Sequence, residues 1–177
     1  MDNIEFRKPN INDGENLNSF LDEFTSANEK IIPASAGLKG LPFNSWLKKK
    51  NNLTRGVNLP KDKVPASIYF LIKKDNSKIL GAIDIRHELN DHLLQQGGHI
   101  GYGVAPSERR KGYASYMLGL SLDICKKELG LKKVLITCDK TNIGSNKTII
   151  KYGGTLEDEF VEDSGNIIFR YWINLKE

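Results

Sequence analysis

The sequence predicts a single mixed α/β domain in which helices flank hairpin-forming strands. Three observations predict it. Apolar residues recur at helical spacing between positions 15 and 26 and again after position 112. From position 67 onward, short β-branched runs alternate with turn signals, two of them hairpin turns. No internal repeat or low-complexity tract divides the 177 residues, which suit one domain able to bury about two thirds of its unfolded surface.

Taken in order, Ile4 and Phe6 alternate with Glu5 and Arg7 and predict a first strand. Leu17, Phe20, Leu21 and Phe24 form the apolar stripe of a helix over 15–26, and Trp46 with Leu47 marks a short helix over 45–52. Gly56, Pro60 and Pro65 then punctuate a long irregular connection. Strands over 68–72 and 79–85 flank the turn residues Asp75, Asn76 and Ser77. A loop rich in His, Asn and Gln leads to a strand over 99–104. After Gly112, the residues Ala114, Met117, Leu118, Ser121, Leu122, Cys125 and Leu129 line one helical face that Gly130 ends. A buried strand over 134–138 precedes a short helix running to Tyr152, and a last hairpin pairs 156–160 with 167–173 across Asp163 to Asn166.

The formal charge of +4 and the pI near 8.9 fit a solvated, Lys-rich surface. No aromatic-interleaved basic stretch points to nucleic acid, and Lys48, Lys49 and Lys50 read as a solvated helix end. Cys125 and Cys138 form no CxxC pair and read as reduced core thiols. His87, His92 and His99 lack zinc-site spacing, so no metal is expected. Neither a signal peptide nor a membrane-spanning run is visible, and the expected location is cytoplasmic.

The most informative segment is Ser107, Glu108, Arg109, Arg110, Lys111, Gly112, Tyr113, Ala114, which follows an apolar strand and opens a helix. A helix start offers unpaired N–H donors and the positive end of the macrodipole, and Gly112 lets a ligand approach the backbone. The segment is therefore a candidate phosphate site. It is not a Gly-x-x-x-x-Gly-Lys-Ser/Thr loop, and a dinucleotide fingerprint begun at Gly101 fails because Pro106 occupies its third glycine position.

The pattern Arg109-x-x-Gly112-x-Ala114, directly after Val104-x-Pro106, resembles the acetyl-CoA pyrophosphate loop of the GNAT N-acetyltransferase superfamily. A second segment matches in order: the 134–138 strand, then Asn142, then a helix ended by Gly153. Within the superfamily, the run from Gly97 to Tyr102, Asn142-x-x-Ser145, Gly153 with Gly154, and Tyr171 with Trp172 resemble an uncharacterised bacterial acetyltransferase subgroup. The resemblance covers roughly residues 68–172. It implies a central mixed, mostly antiparallel sheet flanked by helices, with residues 1–66 as a variable acceptor-side region.

It also implies acetyl-CoA as cosubstrate. Val104 would offer its backbone N–H to the thioester, with Tyr102 and Gly103 alongside. Arg109, Arg110 and Lys111 would neutralise phosphate, the N–H groups from Arg109 through Gly112 and Tyr113 to Ala114 would bind it, and Asn142 would contact the CoA arm. The proton donor departs from the family pattern: the position of the usual Tyr holds Ile149. Tyr152, Ser145 or water remain as donors, and the acid is unassigned. For the base, His99 on the strand leading to Val104 is the first candidate, and His87 with Glu88 a rival.

These expectations amount to an N-acetyltransferase acting on a primary amine by direct attack in a ternary complex. The acceptor expected is a small molecule, with a protein N-terminus also open. A non-catalytic acyl-CoA-binding sensor is the alternative, supported by Ile149. A nucleotide enzyme would need metal-ligating carboxylates after the loop, where only Asp139 stands, and it reads as a turn residue. The edge of the last hairpin is a candidate homodimer contact.

Overall fold

A computed structural model describes residues 3–175. Strands β1 (Ile4–Arg7), β2 (Ala66–Lys73), β3 (Ile79–Arg86) and β4 (Ile100–Val104) form one antiparallel sheet in that spatial order. Strands β5 (Lys133–Asp139), β6 (Thr155–Val161) and β7 (Ile167–Asn174) form a second, ordered β5-β7-β6. The helices are α1 (Gly14–Ser26), α2 (Phe43–Thr54), α3 (Asp91–Gln95), α4 (Tyr113–Lys127) and α5 (Ile143–Lys151). The mixed α/β class and the order of the long elements are those the sequence predicts. Helix α3 is additional, and arises because Asn90 caps it, its Oδ1 accepting from Leu93 N at 2.9 Å.

The central sheet is divided in two. Between β4 and β5 a single bridge joins Gly98 to Ile136, and beyond it the two sheets separate. Gly98 makes the bridge feasible: its φ is +61°, and a Cβ there would overlap the Leu135 carbonyl.

The first sheet is buried on both faces, which is why β2 and β3 read as apolar runs rather than alternating ones. Ile68, Phe70 and Ala82 pack with Leu17, Phe20, Phe24 and Trp46 of α1 and α2. Leu71, Ile83, Ile100 and Val104 pack with Met117, Leu118, Leu122 and Cys125 of α4, and with Ile136 and Tyr171 of the second sheet. Gly101 and Gly103 therefore lie on the α1–α2 face of β4, while Tyr102 and Val104 face α4. On the first of those faces the Ile32 carbonyl occupies the space a Gly103 side chain would need. Among the described residues, no helix is long and apolar enough to cross a membrane.

Candidate active site

After β4, residues Pro106–Glu108 make one 3-10 turn, and α4 begins at Tyr113. Arg110 (φ 65°) and Gly112 (φ 84°) both lie in the left-handed region, and such reversals let successive amides converge on one side. The first bond of α4 runs from Tyr116 N to Gly112 O at 3.0 Å. Among the described residues, the N–H groups from Arg109 to Ala114 find no acceptor in the protein. A cradle of orphan donors at the positive end of a 15-residue helix suits a pyrophosphate. A Cβ on Gly112 would meet no protein atom within 4 Å, so the space beside it is open to a ligand.

The basic side chains are arranged differently from the sequence expectation. Arg109 is drawn to Glu29, with Nη1 at 2.9 Å from Oε1, and that carboxylate raises its pKa further. Lys111 Nζ lies 2.7 Å from Glu108 Oε2, and Lys78 Nζ lies 2.9 Å from Oε1 of the same carboxylate. Those two lysines hold Glu108 below the usual carboxylate range. Of the three loop cations, Arg110 alone makes no ion pair among the described residues. The backbone, more than the side chains, makes this loop receptive to an anion.

Immediately before the loop, β4 has a free edge. Ala105 N donates to Leu80 O at 2.9 Å, so in the alternating antiparallel ladder the N–H groups of Tyr102 and Val104 point away from β3. They open onto the gap between the two sheets. One strand-loop-helix unit thus presents two sets of directed donors in series.

Across the gap stands the start of α5. Asn142 caps the helix, its Oδ1 accepting from Ser145 N at 3.0 Å, which leaves Nδ2 as the group able to face a ligand. Ser145 Oγ lies 2.9 Å from the Tyr102 hydroxyl. Burial pushes the Tyr102 phenol up to about 12, so it stays protonated at neutral pH. Ile149, where the family's Tyr would stand, is fully buried. Tyr152 does not replace it: its hydroxyl donates to Ser115 O at 2.7 Å and sits where Gly119 leaves room on α4. Tyr152 is a helix-packing residue whose proton is already engaged.

His99 has a structural position that the sequence did not disclose. Its backbone N donates to Leu135 O at 2.7 Å, and its Nδ1 accepts from Leu135 N at 2.9 Å. A neutral imidazole has one ring lone pair, and here Leu135 takes it, so Nε2 carries the proton. Burial first, then the nearby Arg86 charge, push the pKa down to about 4. His99 therefore clamps the two sheets beside the Gly98 bridge, with Trp172 packed edge-on at 6.3 Å between centroids. The expectation of a base at His99 is corrected: it has no free lone pair to accept a proton. His87 is bonded to Ser67 Oγ at 2.9 Å and lines a pocket of about 140 Å³ that includes no residue of β4.

Three residues escaped the sequence reading. Glu29 holds Arg109 from 80 positions away, and no local pattern announces it. Asn146 is a buried hub: Nδ2 donates to the carbonyls of Asp139, Lys140 and Asn142 at 3.3, 3.2 and 3.0 Å. Its Oδ1 accepts from the Tyr171 hydroxyl at 2.9 Å and from Cys138 Sγ at 3.2 Å. Burial pushes the Cys138 thiol up to about 11 and Cys125 up to about 12, and both are free cysteines. Asp139 caps the turn after β5, accepting from Thr141 N at 2.7 Å. The third, Asp84, had a visible signal as the lone carboxylate inside the apolar run of β3. It is 4% exposed.

The chain matches the model of the acetyltransferase (GNAT) domain family over residues 6–155. It is 24% identical over 141 residues to the uncharacterised N-acetyltransferase YjdG of Bacillus subtilis (strain 168), covering 80% of this chain and 73% of that protein. Its fold is similar to that of a ribosomal-protein-S5-alanine acetyltransferase from Vibrio fischeri, with a TM-score of 0.76, 14% identity, and coverage of 100% and 96% of the two chains. A spermidine N-acetyltransferase from Vibrio cholerae superposes with a TM-score of 0.67 and 16% identity, covering 99% and 95%. With the family's loop, free strand edge and second helix start all in sequence, the chain belongs to the GNAT acetyltransferase family.

Proposed function

We propose that this protein is an acetyl-CoA-dependent N-acetyltransferase that acts on a primary amine by direct attack in a ternary complex. The observation that carries the reading is the continuity of the donor array. Orphan N–H groups from Arg109 to Ala114 suit a pyrophosphate, and the free N–H groups of Tyr102 and Val104 suit the acyl-bearing arm just upstream. Acetyl-CoA supplies a thioester carbonyl, and Val104 N–H is positioned to bind the oxyanion that develops there. In the balanced step, a base takes one proton from the ammonium and the freed amine forms a C–N bond to the carbonyl carbon. Collapse breaks the C–S bond, and the leaving thiolate takes a proton as the nitrogen loses its second. One proton is released overall.

Ser145 is the donor the geometry favours for that thiolate. It lies at the positive end of α5 and is hydrogen-bonded to a phenol that burial keeps protonated, so a proton can pass from Tyr102 through Ser145. Ser145→Ala is expected to lower kcat by between about 10- and 100-fold, with the acetyl-CoA Kd changed less than about threefold. Stopped thiol-release assays beside calorimetric titration measure both, and an unchanged kcat would move the donor to solvent.

The acceptor proposed is a small-molecule amine, with a protein N-terminus as the wider class. The solved relatives are named for acceptors of both kinds, spermidine and a ribosomal-protein alanine. Titration with acetyl-CoA, against ADP and NAD as controls, tests the cosubstrate. Selective binding followed by amine-dependent thiol release supports the enzyme, whereas binding with no release for any amine favours the sensor reading that Ile149 supports.

A further inference from the structure

The start of β2 breaks the pattern of its sheet. Ser67 and Tyr69 point to the same side as Leu71, and Ile85 and His87 line that side beside them, facing the last turn of α4. Elsewhere this side is apolar and closely packed. Here two hydroxyls and an imidazole border a pocket of about 140 Å³. That is about the size of an engineered cavity that admits benzene, a guest of about six heavy atoms. The hydroxyl of Tyr69 makes no hydrogen bond among the described residues, although the residue is only 8% exposed. Its ring is fixed by Phe6, stacked at 5.2 Å between centroids, and by Lys8, whose Nζ lies 5.6 Å from the ring centroid. Ser67 is 4% exposed, and its Oγ lies 2.9 Å from His87 Nε2. Packing against Ile124 and Leu129 asks for neither hydroxyl, because a buried polar group without a partner weakens a fold. An unpartnered phenol on a polar wall points to a polar guest.

The charges around the pocket are of both signs and are kept apart. Burial first, then the Lys8 charge, push the His87 pKa below its ordinary value against the opposing charges of Asp84 and Glu88, so the ring is neutral at pH 7. Burial first, then the charge of Glu128 and the Cys125 thiol, push the Tyr69 phenol up to about 12. Lys8 therefore acts at the Ser67–His87 end and Glu128 at the Tyr69 hydroxyl, and no ion pair joins the two. Ile85, Ile124 and Leu129 supply apolar wall between them. With His87 Nε2–H donating to Ser67 Oγ, the serine O–H is free to reach an anionic oxygen near Lys8.

No residue of β4, of the 106–114 segment or of α5 lines this pocket. It takes its wall from the end of α4, whose other end carries the anion loop about 24 Å away along the helix. The occupant is therefore neither the cosubstrate nor the acceptor of acetyl transfer. We infer that this pocket binds a small zwitterion, an amino acid of about six heavy atoms such as alanine or β-alanine, with its carboxylate at Lys8, Ser67 and His87 and its ammonium at Glu128 and the Tyr69 hydroxyl. An anion alone meets Glu128 and a cation alone meets Lys8, so only a guest carrying both charges satisfies both ends.

The test is titration calorimetry of glycine, alanine and β-alanine into the full chain. Propionate and propylamine stand for each charge alone, and phenylalanine for an oversized amino acid. At least one short amino acid is expected to bind saturably with a Kd of about 1 mM or below, at least about 10-fold tighter than propionate, propylamine or phenylalanine. Glu128→Gln should weaken the amino acid about 10-fold without weakening propionate, and Lys8→Gln should weaken it as much without weakening propylamine. Tyr69→Phe keeps the ring on Phe6, so it should raise the Kd about fivefold while the thermal midpoint without ligand holds or rises. A hydroxyl with a purely structural role would lower that midpoint and leave the Kd unmoved. Circular dichroism shows each variant folded before titration. The inference is overturned by any of three results: no saturable binding of the short amino acids up to about 50 mM, propionate binding as tightly as they do, or affinity unmoved by both Glu128→Gln and Tyr69→Phe.

Discussion

Replacing Gly112 with aspartate is expected to raise the Kd for acetyl-CoA by at least about 100-fold while leaving the protein folded. The fold survives because a Cβ at Gly112 meets no protein atom within 4 Å. Its φ of +84° costs an L-residue about 1–2 kcal/mol, and aspartate is among the residues that tolerate that region best. Binding fails because the new carboxylate stands among the orphan N–H groups between Arg109 and Ala114, satisfying donors meant for phosphate and repelling the phosphate itself. Gly112→Ala separates the two effects, since it adds the methyl and the φ strain without the charge and should weaken binding far less. Titration calorimetry with circular dichroism measures both variants. Equal losses would make sterics the whole effect, and unchanged affinity for Gly112→Asp would remove the pyrophosphate from this loop.

The second large effect is expected at His99. His99→Gln should lower the unfolding free energy at pH 7.5 by about 3 kcal/mol, because Leu135 N–H loses a well-placed buried acceptor and Trp172 loses its partner. The pH dependence gives the sharper readout. The folded His99 pKa of about 4 lies below its ordinary 6.5, so between those values the unfolded chain binds more protons than the native one. Stability contributed by this group is therefore complete above pH 6.5 and is lost as pH falls toward 4, by about 3 kcal/mol in all. The variant lacks the titrating group, so the difference between the two proteins should shrink steadily from pH 7.5 to pH 4 in denaturant melts. A constant difference would mean that the folded imidazole takes up its proton in the same pH range as the unfolded one, so that its pKa is not linked to folding.

The long elements were legible because their patterns are local. The stripe from Leu17 to Phe24 and the face from Met117 to Cys125 are set by helical periodicity alone, and the hairpin at Asp75 by its turn residues. The anion loop was legible for the same reason: Arg110, Gly112 and the start of α4 are adjacent in the chain. What could not be read was the pairing of distant residues. Glu29 reaches Arg109, and Leu135 occupies His99, only because the fold brings them together. A histidine near a strand start looks identical in sequence whether its lone pair is free or engaged. Tyr152 misled for a related reason, since helical spacing gives its face but not the carbonyl of Ser115 that receives its proton. Asp84 did carry a local sign, a carboxylate flanked by Ile83 and Ile85, both fully buried.

The division of the sheet at Gly98 and Ile136 has a consequence for amide hydrogen exchange. The amides of His99 and Leu135 are each bonded across the joint and become labile only when the two sheets part. Those of Tyr102 and Val104, a few residues further along, lie within a strand yet have no neighbour on their outer side. They exchange as loop amides do, at rates set by water entering the gap, until an acceptor in the cleft slows them. The unpaired edge of β4 thus serves as a built-in gauge of occupancy, with the clamped pair beside it as the reference.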